Sequence, residues 1–446
     1  MSEDVQVSVM TAFLLSTMCY YQTTHFSFTY DDAYAIVHNP IVSGELVLQE
    51  VFRRDFWGNE LGRDDVWTHK SWRPLPTLIY RIVWKFVCEA DQFCVARRLH
   101  WLNVLGYGVC SGLAVVATRR TMQRFGRQKH GNINEVNQIS FLAGAFFCLH
   151  PVHVEVVANI THGCEILCAI FVFLGIAVWG GKRDGKELPW WRVGCVGLCG
   201  VLATACKETG LMLLVFVAAL DTLLFFEGIG GVRTGAFCFC IFASIVRKRH
   251  KLTDGTSFDI SVEFNPLIKY GRNESRYWWG VGWAHVDALG LLVCPWLKHF
   301  CIDRVFMDIE DIHGDGENSF GRKATVTAVW GVCAGLGFWG LWTRRTYESS
   351  RVLVTATLLF IAFYLPASQI LFPVGFYVAE RTLFIPSLAY CTVLATAVRK
   401  FVRWDVGKIL AGIILLSFAL ISLDVSTAWS DNESLSIKTL EINSGR

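Results

Sequence analysis

The chain has 446 residues, of which 53% are hydrophobic, 14% are aromatic and only 18% are charged. Soluble domains carry nearer one quarter charged residues, so this composition excludes one large soluble core and predicts several membrane spans. The formal net charge of +3 is too small to indicate a nucleic-acid partner.

The first predicted span covers residues 5–22. It follows acidic rather than basic residues, and no small-residue cleavage site comes after it, so we interpret it as a retained span. Ten further apolar runs are predicted as spans, two of them short (193–206 and 234–246): 97–118, 138–158, 164–180, 193–206, 210–228, 234–246, 324–342, 351–372, 383–398 and 407–424. The expected fold is an all-α polytopic membrane domain of about eleven helices that covers residues 1–446.

Short basic loops predict the orientation, because Lys and Arg are enriched in cytoplasmic loops. Four such segments lie at 119–130, 181–192, 344–345 and 399–403. Eleven spans with a cytoplasmic N-terminus place all four in the cytoplasm, and only the basic segment 247–251 then falls in the lumen. The glycosylation sequons at Asn159, Asn273 and Asn432 all lie on the predicted lumenal side, although Asn159 is close to the membrane.

Two long lumenal segments, 23–96 and 247–323, and a short lumenal tail, 425–446, follow from this topology. Within the second, the apolar stretch 278–298 contains His285 and Asp287, which are costly at mid-membrane, so we predict a re-entrant or surface-lying helix there. In the first, Cys88 and Cys94 are either a disulfide or two free thiols. Most other cysteines lie in apolar runs, where they act as small hydrophobic residues.

The first lumenal segment opens with an acidic pair, Asp31 and Asp32. Adjacent carboxylates raise each other's pKa, which suits one of them to accept a proton from a hydroxyl. A solvated loop pair is the simpler interpretation from spacing alone, because Asp64 and Asp65 form a second such pair in the same loop.

Four further polar clusters lie at predicted lumenal span ends. Basic residues beside Trp72 are suited either to holding a phosphate or to ordinary interfacial anchoring, and two histidines near Glu155 are suited either to a metal or to a polar network. Charged groups at this depth are usually buried partners or functional residues. The candidates are His69, Lys70 and Arg73; His150, His153 and Glu155; Lys207 and Glu208; and Glu380 and Arg381.

These motifs, in this order, resemble the transmembrane and tetratricopeptide-repeat protein O-mannosyltransferases of the GT-C glycosyltransferase superfamily. The resemblance rests on segments spread along nearly the whole chain: Tyr30-Asp31-Asp32, Asp55-Phe56-Trp57-Gly58, Lys70-Ser71-Trp72-Arg73-Pro74-Leu75, His100 with Asn103, His150-Pro151-Val152-His153-Val154-Glu155, Cys206-Lys207-Glu208, Asn265-Pro266, and Ala379-Glu380-Arg381 with Pro386-Ser387.

The resemblance implies a GT-C-like bundle with lumenal loop helices in the endoplasmic reticulum membrane. It implies transfer of mannose from dolichyl-phosphate mannose to Ser or Thr hydroxyls of a protein acceptor, with inversion and without a metal or other cofactor. Asp31, favoured over Asp32, is then the base. Arg381, Lys207, Arg73 and Lys70 are expected to hold the donor phosphate, and His69, His150, His153, Glu155, Glu208 and Glu380 to line the site.

The chain also departs from the family pattern. Phe264 stands where an aspartate is expected, and His162-Gly163-Cys164-Glu165 lacks the family's basic residue. No 34-residue repeat is present before Arg446. These departures leave open another dolichyl-phosphate sugar or a lipid-linked glycan acceptor. A transporter or scaffold is the alternative from another class, and it predicts polar residues along a path through the midplane.

Overall fold

The computed structural model describes residues 2–61, 70–125, 133–181, 187–228, 230–252, 260, 262, 265–296, 319–344 and 348–444. Within these ranges the regular structure is helical, and the only strand-like pairing is an isolated bridge between Arg54 and Glu60. The predicted all-α class is confirmed. His69, Asp64, Asp65 and Phe264 lie outside the described residues.

The helices run in chain order as α1 Glu3–Tyr20, α2 Pro40–Ser43, α3 Pro74–Ile82, α4 Gln92–Phe125, α5 Ile133–Leu149, α6 Val154–Ala158, α7 Gly163–Trp179, α8 Trp190–Cys206, α9 Met212–Phe226, α10 Arg233–Leu252, α11 Ser275–Val293, α12 Ser319–Thr343, α13 Glu348–Tyr364, α14 Ser387–Phe401, α15 Trp404–Thr427 and α16 Asn432–Ser444. Each of the eleven predicted apolar runs lies mostly on one of these helices or, for 138–158, on α5 and α6 together.

Five helices in the described part of the chain are long and apolar enough to cross a membrane: Gln92–Phe125, Glu208–Phe226, Gly321–Thr343, Ser349–Ala367 and Trp404–Ser430. A sixth span results if Ile133–Leu149 and Pro151–Ala158, which meet at 54°, are counted together. Two further apolar helices, Gly163–Trp179 and Trp190–Cys206, are shorter. The count of eleven spans therefore remains a prediction.

The bend between α5 and α6 lies at His150 and Pro151. Proline has no N–H to donate within a helix, so the chain turns here, and the His150 ring accepts a hydrogen bond from the N–H of Val152 at 3.2 Å. The bend keeps residues 151–158 within the bundle, where each of them is buried.

The described residues of the four predicted cytoplasmic basic segments lie at one end of the bundle. Arg124 at the end of α4 pairs with Asp221 of α9 at 3.1 Å, Arg344 pairs with Glu227 at 3.2 Å, and Lys400 pairs with Glu135 at 3.7 Å. Arg192 completes the set, because it donates to carbonyl groups at the end of α7. We call this the basic end.

The opposite end carries the predicted site residues, and we call it the site end. The basic segment 247–251 is at this end, because Arg249 pairs with Glu208 at 3.2 Å. We predicted that segment 247–251 is an exception to the charge rule. In the described helices it lies at the end opposite the other four basic segments.

Close helix packing beneath the site end depends on small residues. A Cβ atom added at Gly108 of α4 would lie 2.7 Å from the Phe13 ring of α1, and one added at Gly112 would lie 2.9 Å from the Val9 side chain. Helices approach this closely in membranes where glycine faces the neighbour. The acidic pair therefore follows a helix, α1, that is packed tightly against α4.

Two further predictions concern the loops. Cys88 and Cys94 form a disulfide with a Cα–Cα distance of 5.6 Å, so the paired alternative is confirmed. The apolar stretch 278–298 largely forms helix α11, in which His285 and Asp287 are both buried and the His285 ring contacts the Ser368 carbonyl at 2.8 Å. Its placement as a re-entrant or surface-lying helix remains a prediction.

Candidate functional site

The acidic pair lies in a turn between α1 and α2. The preceding residue, Tyr30, has a left-handed backbone with φ of 51°, a conformation that costs a non-glycine residue about 1–2 kcal/mol. Its N–H donates to the side-chain oxygen of Asn432 at 2.8 Å, and the N–H of Ser27 donates to the Ser430 carbonyl at 3.1 Å. The segment after α15 therefore holds the backbone that presents Asp31.

The two carboxylates of the pair have different surroundings. Asp31 is partly exposed, whereas Asp32 is fully buried. Asp32 accepts hydrogen bonds from the N–H of Thr29 at 3.0 Å, the N–H of Thr161 at 2.9 Å and the Thr161 hydroxyl at 2.5 Å. Burial raises the pKa of Asp32 to about 6, although these hydrogen bonds act in the opposite direction. Of the pair, Asp31 is the carboxylate that a substrate can reach.

One buried segment, residues 155–165, connects the acidic pair to the predicted cations. It contains α6 from its second residue, the turn after it and the first residues of α7, and every residue in it is buried. Four of its residues each contact one predicted site residue: Thr161 contacts Asp32, Glu155 contacts Arg381, Cys164 contacts Arg73, and Glu165 contacts Lys207. We call this segment the hub, because groups far apart in sequence meet on it.

Arg381 is fixed against the hub by its backbone and by its side chain. Its N–H donates to one oxygen of Glu155 at 2.8 Å, and its Nη1 donates to the other at 2.5 Å. The guanidinium also lies 5.0 Å from the centre of the Phe376 ring. Two charge-assisted bonds from one residue to one carboxylate define the position of Arg381 closely.

Arg73 and Lys207 lie beside the same segment. Arg73 donates to Glu208 at 3.1 Å and to the sulfur of Cys164 at 3.6 Å, while Lys207 forms an ion pair with Glu165. Burial lowers the pKa of Lys207 to about 7, and the charges of Arg73 and Arg381 act in the same direction. Arg73, Lys207 and Arg381 each contact a residue of the hub.

The histidines of the sequence motifs take part in polar networks. The His153 ring contacts the Tyr107 hydroxyl at 2.7 Å and the Ser387 hydroxyl at 2.8 Å, and His150 contacts the Leu292 carbonyl at 3.1 Å. No group of three or more potential metal ligands was found among the described residues. Of the two alternatives that the sequence left open, these contacts favour the polar network.

The remaining candidates occupy different places. Glu380 is buried directly before Arg381, and Glu208 accepts hydrogen bonds from Arg73, Arg249 and the N–H of Trp72. Lys70 has a left-handed backbone with φ of 53°, and its carbonyl accepts a hydrogen bond from Arg249 at 3.2 Å. The site-lining prediction for His69 falls outside the described residues.

Several residues of the site were not among the predicted ones. Thr161 holds Asp32, and Arg249 pairs with Glu208. Tyr80 donates its hydroxyl to the Ile160 carbonyl at 3.1 Å, which fixes helix α3 to the hub. The sequence marks the turn by the sequon at Asn159 and marks Arg249 by the basic segment 247–251. Neither pattern identifies the residue that Thr161 or Arg249 contacts.

The arrangement brings three cations and the buried Asp32, the neighbour of the partly exposed Asp31, into contact with one buried segment. A carboxylate is suited to accept a proton from an attacking hydroxyl. Fixed guanidinium and ammonium groups stabilise negative charge that develops on a leaving phosphate. These features define a membrane protein with a charged, largely buried polar site at one end of its helices.

Comparison with known proteins identifies relatives that are named protein O-mannosyl-transferases. The chain is 28% identical over 422 residues to protein O-mannosyl-transferase F38B6.6 of Caenorhabditis elegans, which covers 90% of this chain and 53% of that protein. It is 27% identical to human protein O-mannosyl-transferase TMTC4, over 85% of this chain and 54% of that protein. Human protein O-mannosyl-transferase TMTC3 is 24% identical over 96% of this chain and 47% of that protein.

The resemblance to the transmembrane and tetratricopeptide-repeat O-mannosyltransferases is confirmed by these relatives. The chain spans about half the length of the curated relatives it matches. No family model matches the chain.

Proposed function

We propose that the protein transfers mannose from dolichyl-phosphate mannose to Ser or Thr hydroxyls of secretory-pathway proteins, with inversion at the anomeric carbon. The relatives that carry the name protein O-mannosyl-transferase support the reaction class. The observation that carries the proposal for this chain is the hub, where Asp32, Arg73, Lys207 and Arg381 all contact residues 155–165.

In the proposed reaction, Asp31 accepts the proton of the acceptor hydroxyl. The hydroxyl oxygen attacks the anomeric carbon from the face opposite the phosphate, so a new carbon–oxygen bond forms as the bond to the phosphate oxygen breaks. A direct displacement of this kind inverts the anomeric centre. The leaving group departs as dolichyl phosphate and needs no proton, since a phosphate ester is already a stable anion.

The cations have the complementary role. Negative charge grows on the phosphate as the sugar leaves, and Arg381, Lys207 and Arg73 are positioned to stabilise it. Asp32 is assigned a positioning role, because both of its oxygens accept hydrogen bonds. The proposal includes no metal, so transfer is expected to be unchanged when a chelator is added.

We further propose that the site end faces the lumen of the endoplasmic reticulum and that eleven spans cross the membrane. The basic end then faces the cytoplasm, in agreement with the charge rule. The exposed sequon at Asn273 provides a test, because glycosylation occurs only in the lumen. Asn273→Gln is expected to remove a glycan, whereas Asn159→Gln is expected to remove none because Asn159 is buried.

The transfer reaction is tested with purified protein and radiolabelled dolichyl-phosphate sugars. The expected result is incorporation of mannose into a Ser/Thr-containing peptide, with loss of incorporation in Arg381→Gln. Transfer of glucose instead, or transfer to a lipid-linked glycan, would replace the proposed sugar or acceptor. Absence of transfer from every donor, with the folded protein intact, would support the transporter or scaffold alternative.

A further inference from the structure

The motif residue Asn265 lies in a turn that precedes α11. It is fully buried, and with Pro266 it begins a short helical turn in which its side-chain oxygen accepts a hydrogen bond from the N–H of Leu267 at 3.1 Å. Capping of this kind uses only the oxygen of an asparagine side chain. The amide nitrogen of Asn265 makes two further contacts, and these lead to the candidate site.

The amide nitrogen of Asn265 donates to two points of the loop between α13 and α14. Its Nδ2 donates to the Oε1 atom of Gln369 at 2.7 Å and to the Val374 carbonyl at 2.7 Å. Gln369 continues the connection, because its Nε2 donates to the Tyr377 carbonyl at 3.0 Å. Two amide side chains thus tie three separated points of one loop together. We call Asn265 and Gln369 the amide clamp.

The start of this loop is also fixed to α11. Gln369 is buried and has a left-handed backbone with φ of 61°, a conformation that is uncommon for residues other than glycine. Its carbonyl accepts a hydrogen bond from the Tyr277 hydroxyl at 2.9 Å, and the His285 ring contacts the Ser368 carbonyl at 2.8 Å. A rare backbone conformation persists only where its surroundings hold it, and it is frequent beside functional groups.

The clamped loop leads directly to the first candidate for the donor phosphate. Arg381 follows Tyr377 by four positions. Phe376, whose ring centre lies 5.0 Å from the Arg381 guanidinium, stands between the two clamped carbonyls of Val374 and Tyr377. Arg381 is thus supported by Glu155 of the hub and by an aromatic ring whose backbone the clamp fixes on both sides.

We propose that Asn265 and Gln369 are positioning residues that hold Phe376 and Arg381 in the geometry that binds the donor phosphate. A cation binds a phosphate more tightly when its position is fixed before the ligand arrives, because less freedom is then lost on binding. Without the clamp, the Phe376 ring is no longer held against the guanidinium. This inference deepens the proposed function and rests on it for the role of Arg381 as a phosphate contact.

The test is equilibrium binding of radiolabelled dolichyl phosphate to the full chain in nanodiscs of phosphatidylcholine. Arg381→Gln removes a charged contact and is expected to weaken binding about tenfold. Asn265→Ala is expected to weaken binding about fivefold through the loss of positioning. The double substitution is expected to bind within about twofold of Arg381→Gln alone, because effects that act through one contact do not add.

Two further variants separate positioning from a general loss of stability. Gln369→Met keeps the size of the side chain and the cap at Asn265, and it is expected to weaken binding about as much as Asn265→Ala. Asn39→Ala is the matched control, because Asn39 is also fully buried before a proline, accepts from the N–H of Ile41 and donates to two carbonyl groups. It is expected to lower Tm about as much as Asn265→Ala and to keep the wild-type Kd.

Three results would overturn the positioning role: additive weakening in the double substitution, wild-type binding by Gln369→Met, or an equal loss of binding in Asn39→Ala. Absence of dolichyl phosphate binding by the wild type would overturn Arg381 as the phosphate contact and the role of the clamp with it. Failure of the proposed function has a different signature, since the wild type would then bind dolichyl phosphate without transferring mannose. In the active protein, Asn265→Ala is expected to raise the donor KM and to leave the KM of the acceptor peptide unchanged.

Discussion

The acidic pair provides the sharpest test of the proposed site, because substitutions of Asp31 and of Asp32 are expected to have different effects. Asp32→Ala removes the acceptor for the N–H groups of Thr29 and Thr161 and for the Thr161 hydroxyl, all of which are buried. Each buried donor left without a partner costs about 1–3 kcal/mol, so the two N–H groups alone predict a loss of about 2–6 kcal/mol of folding free energy. Asp31→Asn removes a partly exposed charge and is expected to cost about 1 kcal/mol or less.

For the rate of transfer, in contrast, Asp31→Asn is expected to have the larger effect of the two substitutions. Loss of a general base typically slows a reaction by about 10²–10⁴-fold, and we expect Asp31→Asn to lower kcat by that factor while the protein stays folded. Asp32→Ala should lower the amount of folded protein first. Thermal unfolding in detergent, followed by intrinsic fluorescence, measures the stability of each variant. Mannose transfer per folded molecule measures kcat.

Two outcomes would refute this reasoning. Full transfer by Asp31→Asn would remove it as the base, and an unchanged unfolding temperature in Asp32→Ala would show that its hydrogen bonds do not support the fold. Asp405→Asn is a suitable control, because Asp405 is an exposed carboxylate at the basic end and its loss is expected to change neither measurement.

Three further predictions follow from the site and the loop beside it. Glu155→Gln breaks the buried pair with Arg381 and is expected to lower stability by about 3 kcal/mol and to lower kcat, measured by thermal unfolding and transfer; an unchanged kcat would contradict the placement of Arg381. Burial lowers the pKa of Lys207 to about 7, so its charge is present below pH 7 and lost above it. The value of kcat/KM for the donor should therefore fall as pH rises through 7, and Lys207→Arg should remove this dependence. A pH profile shared by the wild type and Lys207→Arg would contradict the assignment of Lys207. Cys88→Ser opens the loop to Cys94 and is expected to lower stability by about 2 kcal/mol in thermal unfolding, and equal stability under reducing and oxidising conditions would count against it.

The sequence predicts the helices well because each span is a long apolar run with a clear beginning and end. Each of the eleven runs lies mostly on helix, and Pro74 occupies the first position of α3, where proline is common. The predicted ends of the helices were less accurate near the site. The run 351–372 extends past Tyr364, where α13 ends and a turn begins at Leu365.

The pairing of side chains was not readable from the sequence. Glu165 lies 42 positions before Lys207, and Arg249 lies 41 positions after Glu208, so neither contact follows from helical spacing. The motifs selected groups that carry charge at span ends, because such groups are costly there without partners. Which carboxylate each cation meets depends on how the helices pack, and that required the structure.

The different surroundings of Asp31 and Asp32 could not be predicted from the sequence. Adjacent residues look equivalent in a sequence, yet the turn at Tyr30 directs one carboxylate into the protein and leaves the other partly exposed. The family resemblance favoured Asp31 only slightly over Asp32 as the base. The hydrogen bonds from Thr161 to Asp32 supply the physical reason for that preference.

The central claim is that donor phosphate and catalytic carboxylate meet beside residues 155–165. An experimental structure of the full chain with dolichyl-phosphate mannose bound tests it most directly. The phosphate is expected in contact with Arg381 and Lys207, with the anomeric carbon facing Asp31. A headgroup bound at the basic end, near Arg124 and Asp221, would contradict the proposed site.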